Sequence, residues 1–130
     1  MLYVMDASAM LALMQAEKGW EVVDDLIQEQ QCVASCVNVA EAGTKMIDKG
    51  LAPSQLKRTL EELNIKPVDF DLEQSTLCAE LRLSTKYAGL SLGDRACLAL
   101  TKLMNGTAVT SDRAWLDIAE ITQIKMLMIR

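Results

Sequence analysis

The 130 residues are 51% hydrophobic and 24% charged, with two prolines and six glycines, a composition that excludes disorder, collagen-like repeats and low complexity and predicts one domain spanning residues 1–130. Thirteen basic residues stand against 18 acidic ones, a net charge of −5, which argues against gripping nucleic acid through a broad basic face. There is no histidine, so serine–histidine triads, cysteine–histidine nucleophiles and histidine-ligated zinc are all excluded.

Leu2–Met5 is a short, wholly apolar run, as expected of a central strand buried on both faces. Asp6-Ala-Ser then opens an apolar helix to about Gln15, and Gly19–Gln30 reads as a second helix. Cys32–Ser35 is another buried strand, followed by a helix over Asn38–Lys49 and one from Pro53 to about Leu63. Lys66–Phe70 is a third strand, with Pro67 favouring an edge. Asp71 begins a long amphipathic helix that ends near Gly89, with Leu72, Leu77, Leu81 and Leu83 among its apolar positions. Leu90–Gly93 is a turn, Asp94–Met104 a helix, Thr107–Thr110 a strand, Asp112–Glu120 a helix and Lys125–Ile129 the last strand. Strands alternating with helices predict a three-layer α/β/α fold around a parallel sheet of about five strands.

Four acids share a position in this alternation. Asp6 follows the first strand, Glu41 lies in about the first turn of the helix after the second, Asp94 opens a helix after a glycine turn, and Asp112 follows the Thr107–Thr110 strand. In a doubly wound sheet the carboxyl ends of the strands and the N-termini of the following helices converge on one crevice. At separations of ~5 Å and an effective dielectric of ~20, each like-charge pair costs about 3 kcal/mol, so such a cluster takes up protons or binds cations. Oxygen-only ligation points to Mg²⁺ or Mn²⁺, and two such ions suit in-line displacement at a phosphodiester by water. Ser8 and Thr110 or Ser111 place hydroxyls beside the acids, and Lys45 shares a helix face with Glu41, from which it could neutralise a carboxylate or touch a substrate phosphate.

Each residue also has a structural reading. Asp6, Asp94 and Asp112 suit helix N-caps, Glu41 a solvated helix acid with Lys45 as its i,i+4 partner, and Ser8 and Ser111 first-turn hydrogen bonds. Asp117 is read as a surface residue. The four cysteines form no C-x-x-C pair and read as small buried hydrophobes. Of the five aromatic rings, Tyr3 and Phe70 are expected to be buried and Trp115 to pack its helix on the sheet. That leaves too few for a base-stacking platform.

At the four acids the sequence resembles the PIN-domain nucleases, and among them the VapC-type toxins of toxin–antitoxin pairs. The matching segments are VMDASAML (Val4–Leu11), NVAEAGTK (Asn38–Lys45), LSLGDRACLALT (Leu90–Thr101) and VTSDRAW (Val109–Trp115). The resemblance places catalytic, metal-binding acids at Asp6, Glu41, Asp94 and Asp112, with Ser8 and Thr110 in support. It implies an Mg²⁺- or Mn²⁺-dependent endoribonuclease leaving a 5′-phosphate and a 3′-hydroxyl, and a strand order of 3-2-1-4-5. It also implies a homodimer and a small VapB-like antitoxin that threads a peptide toward the crevice. Arg95, beside Asp94, stands where many relatives carry a small or apolar residue, and contact with the RNA backbone or with a neighbouring carboxylate are its two readings.

Other functions fit less well. A haloacid-dehalogenase-type phosphatase needs a second aspartate where Ser8 stands, and a response-regulator receiver needs an acidic pair absent around Asp6. The remaining alternative is a non-catalytic module of the same fold whose acidic crevice receives a partner peptide. No apolar run approaches the ~20 residues of a bilayer span, and the MLYVMD start has no positive leader region, so a cytoplasmic protein with no membrane association is expected.

Overall fold

A computed structural model describes residues 1–130. Five strands, β1 (Leu2–Met5), β2 (Gln31–Ser35), β3 (Lys66–Val68), β4 (Thr107–Thr110) and β5 (Lys125–Met128), form one sheet in the order β3-β2-β1-β4-β5. Every pairing is parallel, with Val4 opposite both Val33 and Ala108. The predicted order and architecture are therefore the observed ones.

The helices are α1 (Ala7–Gln15), α2 (Trp20–Glu29), α3 (Cys36–Asp48), α4 (Pro53–Glu61), α5 (Leu72–Thr85), α6 (Leu92–Leu103) and the short α7 (Ala119–Thr122). The side chains of β1 alternate between two cores. Val4 packs with Cys97 and Leu100 of α6 and with Trp115, whereas Met5 packs with Ala9 and Met10 of α1 and Val23 of α2. Both residues are buried, as the unbroken apolar run predicts. No helix is long and apolar enough to cross a membrane.

The differences from expectation have local causes. Helix α3 starts at Cys36, two residues early, because the Ser35 hydroxyl accepts from the Val37 N–H and caps it. Helix α6 likewise starts at Leu92, since Ser91 and Asp94 form a capping box, so Asp94 is the third helical residue rather than the first. Arg113–Ile118 is a 3-10 helix rather than an α-helix, with Trp115 fully buried within it as expected. Lys86–Ala88 is also 3-10, and α5 ends before it at Thr85. Strand β3 stops at Val68, so Phe70 lies outside the sheet and is only half-buried, as is Tyr3. Leu72 and Leu83 are exposed on α5, although Leu81 is buried as predicted. The cysteines are free thiols, three of them buried and Cys36 partly so.

Candidate active site

Asp6 sits at the C-terminal edge of β1, where its N–H still bonds the Val109 carbonyl and its side chain turns to cap α1. Its Oδ1 accepts from the Ala9 N–H at 2.8 Å and from the Ser8 hydroxyl at 2.6 Å, while its Oδ2 accepts from the Thr110 hydroxyl at 2.5 Å. The residue is 4% exposed and faces no cation within ion-pair distance; the one ion pair in the chain is Arg58–Glu62. Burial pushes its pKa up to about 6 from 3.8, against three hydrogen bonds that pull it down, and the nearby Asp94 charge adds to the rise.

Thr110, fully buried at the end of β4, ties the aspartates together. Its Oγ1 donates to Asp6 and accepts from the Asp112 N–H at 3.0 Å. Ser8 closes the other side of this knot, because its Oγ accepts from the Ser111 N–H at 2.9 Å. The supporting role expected of Ser111 thus falls to its backbone. Asp112 is exposed at the rim, and its Oδ1 caps the Arg113–Ile118 turn through the Ala114 N–H.

Glu41 comes from the second turn of α3 rather than the first, because α3 begins two residues earlier, at Cys36. It approaches α6 closely. A Cβ on Gly93 would lie 2.6 Å from Glu41 Oε1, so the absence of a side chain there admits the carboxylate. Buried Asn38, one turn before Glu41, donates from Nδ2 to the Gly93 carbonyl at 2.9 Å and pins α3 to the first turn of α6. From the sequence Gly93 reads only as part of a turn and Asn38 only as a helix start, although both lie three residues or fewer from a predicted acid.

Three of the acids act on one point. The buried Cys97 thiol, one turn beyond Asp94 on α6, has its pKa pushed well up by burial and then by the charges of Asp6, Asp94 and Glu41, despite the Thr101 hydroxyl. The side chains do not form a ready-made chelate, however: no three acidic or thiol groups stand so as to hold a metal ion. The expected convergence is therefore of elements and charge, with each aspartate also serving as a cap. Asp94 Oδ1 and Asp112 Oδ2 accept no hydrogen bond within the chain, and neither does Glu41, so oxygens remain for a ligand. An all-oxygen donor set with surplus negative charge fits a hard divalent cation.

Of the two residues expected to touch substrate, Lys45 is exposed, makes no ion pair with Glu41, and lines a cleft whose wall includes Ser8. Arg95 turns onto α5, with Nη1 donating to the Cys78 carbonyl at 2.9 Å, and pairs with no carboxylate. Asp117 is exposed, as read.

The PIN domain model matches residues 3–121. No curated protein sequence matches the chain. Among solved structures it is similar to VapBC from Salmonella typhimurium bound to DNA (16% identity, 100% of each chain covered, TM-score 0.75). It is also similar to VapBC2 from Rickettsia felis bound to a promoter DNA fragment (16%, 98% of each chain, TM-score 0.74). A third such structure is VapBC-1 from nontypeable Haemophilus influenzae (18%, 99% of this chain and 98% of that one, TM-score 0.73). At these identities the likeness is one of fold, whereas the family model spans nearly the whole sequence, and the chain belongs to the PIN domain family.

Proposed function

We propose that this chain is a metal-dependent endoribonuclease, the VapC-type toxin of a toxin–antitoxin pair, with residues 1–130 working as one PIN domain in the cytoplasm. The observation that carries the reading is Asp6: a carboxylate 4% exposed, without a cationic partner, at the C-terminal end of the central strand, whose charge acts with those of Asp94 and Glu41 on the buried Cys97. Folding tolerates such a group where function needs it charged. Asp6, Glu41, Asp94 and Asp112 would hold Mg²⁺ or Mn²⁺. Such a cation would neutralise the acids and the phosphodiester and would lower the pKa of water enough for hydroxide to be available for in-line attack on phosphorus.

The chain's own residues keep that site in shape. Ser8 and Thr110 hold the Asp6 carboxylate, Asn38 holds Glu41 against α6, and the capping box with Ser91 sets Asp94. Two surfaces support the implied partners. A mostly apolar hollow of about 490 Å³, lined by Met10, Val39, Leu60, Leu63, Ile65 and Pro67 together with the charged Lys57 and Glu61, suits the apolar side chains of a small VapB-like antitoxin. Leu72 and Leu83, three turns apart on α5 and both exposed, suit a homodimer face.

Incubating purified protein with RNA and Mg²⁺ or Mn²⁺ tests the reading. Cleavage leaving 5′-phosphate ends is expected, with Asp6→Asn and Asp94→Asn inactive but folded; an equally active Asp94→Asn protein refutes it. The non-catalytic alternative draws on one fact, that each aspartate is already spent on a cap. Absence of Mn²⁺ binding in a calorimetric titration, together with no cleavage, would favour that module.

A further inference from the structure

Between α1 and α3, next to the acids, lies a cleft of about 250 Å³ of the opposite charge. Ser8, which bonds Asp6, forms one wall, and Lys45, Lys49 and Arg130 line it against a single acid, Glu17. Three of the chain's 13 basic residues therefore meet in one small hollow of a protein with net charge −5, and none of them is ion-paired. All three are exposed, so water screens their mutual repulsion, but together they present a local excess of positive charge to an entering anion.

Two of the three cations are also held in place. Lys49 Nζ donates to Gln15 Oε1 at 3.1 Å, and the Gln15 amide is fixed in turn by its contact with Met46 Sδ. Arg130 Nη1 donates to the Lys18 carbonyl at 2.8 Å, which anchors the guanidinium at the end of α1. Lys45 follows Glu41 by one turn and Lys49 follows Lys45 by another, so α3 carries acid, cation, cation along one face. A chain of phosphates meeting Glu41 and its fellow acids would next meet Lys45.

We infer that this cleft is a phosphate-binding subsite, taking an RNA backbone phosphate adjacent to the one placed over the acids. The inference rests on the nuclease reading for its direction, since it names where the strand continues once it leaves the acidic crevice. It resolves the charge problem of that reading. An acidic protein needs a local basic contact to hold a polyanion, and here that contact lies beside the acids rather than over a broad face.

The test separates binding from cleavage. Anisotropy of a fluorescent twelve-residue oligouridylate, measured in EDTA over a range of salt, reads the subsite without any metal chemistry. Lys45→Ala/Lys49→Ala is expected to weaken binding about tenfold and to flatten the slope of log affinity against log salt by roughly 0.7 per lost contact. Lys86→Ala, whose side chain lies over the Tyr87 ring outside the cleft, should change neither. Unchanged affinity and slope in the double variant overturn the inference, as does a wild-type protein with no affinity for the oligonucleotide. Loss of affinity for a polyglutamate peptide, with RNA binding intact, overturns it in favour of an acidic protein partner. Cleavage with Mg²⁺ is scored separately: a wild type that binds RNA through the lysines yet never cuts it sinks the nuclease reading and leaves the subsite standing.

Discussion

Glu41 lies directly over Gly93: a methyl group on that glycine would stand 2.6 Å from Oε1 and 3.3 Å from Cδ of the glutamate. Since Gly93 adjoins Asp94 in the capped first turn of α6, one missing Cβ lets acids from two helices share a rim. Gly93→Ala is expected to fold, because the obstructed group is the end of a flexible side chain, but to displace the Glu41 carboxylate. Affinity for Mn²⁺ should fall by about 10- to 100-fold, the scale on which misplaced ligand support acts. Calorimetric titration checks this, and a Gly93→Ala protein with wild-type Mn²⁺ affinity contradicts it.

Asp6 makes stability depend on pH in an unusual direction. Its carboxyl titrates at about 6 in the folded chain against 3.8 otherwise, so between those values the folded state holds a proton that the unfolded state has released. Metal-free stability is therefore highest below about pH 4, with respect to this group, and declines as pH rises toward 6, by about 3 kcal/mol in all. Asp6→Asn should remove that decline and be the more stable protein at pH 7 without metal. Denaturant melts in EDTA from pH 4 to 7.5 decide it, and a wild-type profile parallel to that of Asp6→Asn rules it out. Mn²⁺ at 100 times its dissociation constant should restore about 2.7 kcal/mol to wild type alone.

Thr110 serves Asp6 and Asp112 with one hydroxyl. Thr110→Val keeps the shape and loses both bonds, at a cost of about 1–3 kcal/mol at a fully buried position. Because that hydroxyl also lowers the Asp6 pKa, its loss should raise the pH at which Mn²⁺ binding begins. Binding measured between pH 5.5 and 8 would show the displacement, and a superimposable pH profile would exclude it.

Asn38 couples two helices through a single amide, donating to Gly93 while its Oδ1 is buried without a partner. Asn38→Ala should cost about 1 kcal/mol through loss of the hydrogen bond between the helices. It should also weaken metal binding more than an equally destabilising change remote from the acids, such as Ile124→Val. Equal metal affinity in the two variants would show that Asn38 serves stability only.

The alternation of apolar runs with helical stretches was enough to predict a parallel sheet, because a strand such as Leu2–Met5, apolar at every position, must be covered on both faces, and parallel pairing with crossover helices does that; the order of the strands was implied by the family resemblance alone. The same logic put Asp6 and Asp112 at strand ends, where the chain turns from a buried strand into a polar cap. Local sequence could not fix what depends on contacts between distant elements. That Thr110 bonds a residue 104 positions away, that Gly93 makes room for Glu41, and that Lys45 points to a basic cleft rather than to Glu41 are consequences of packing α1, α3 and α6 around one sheet edge. The helix starts at Cys36 and Leu92 differ from expectation for a related reason, since Ser35 and Ser91 show their capping role only when the backbone already bends there. Residue types determined which chemistry the chain can attempt; only the tertiary structure decided which of those residues meet.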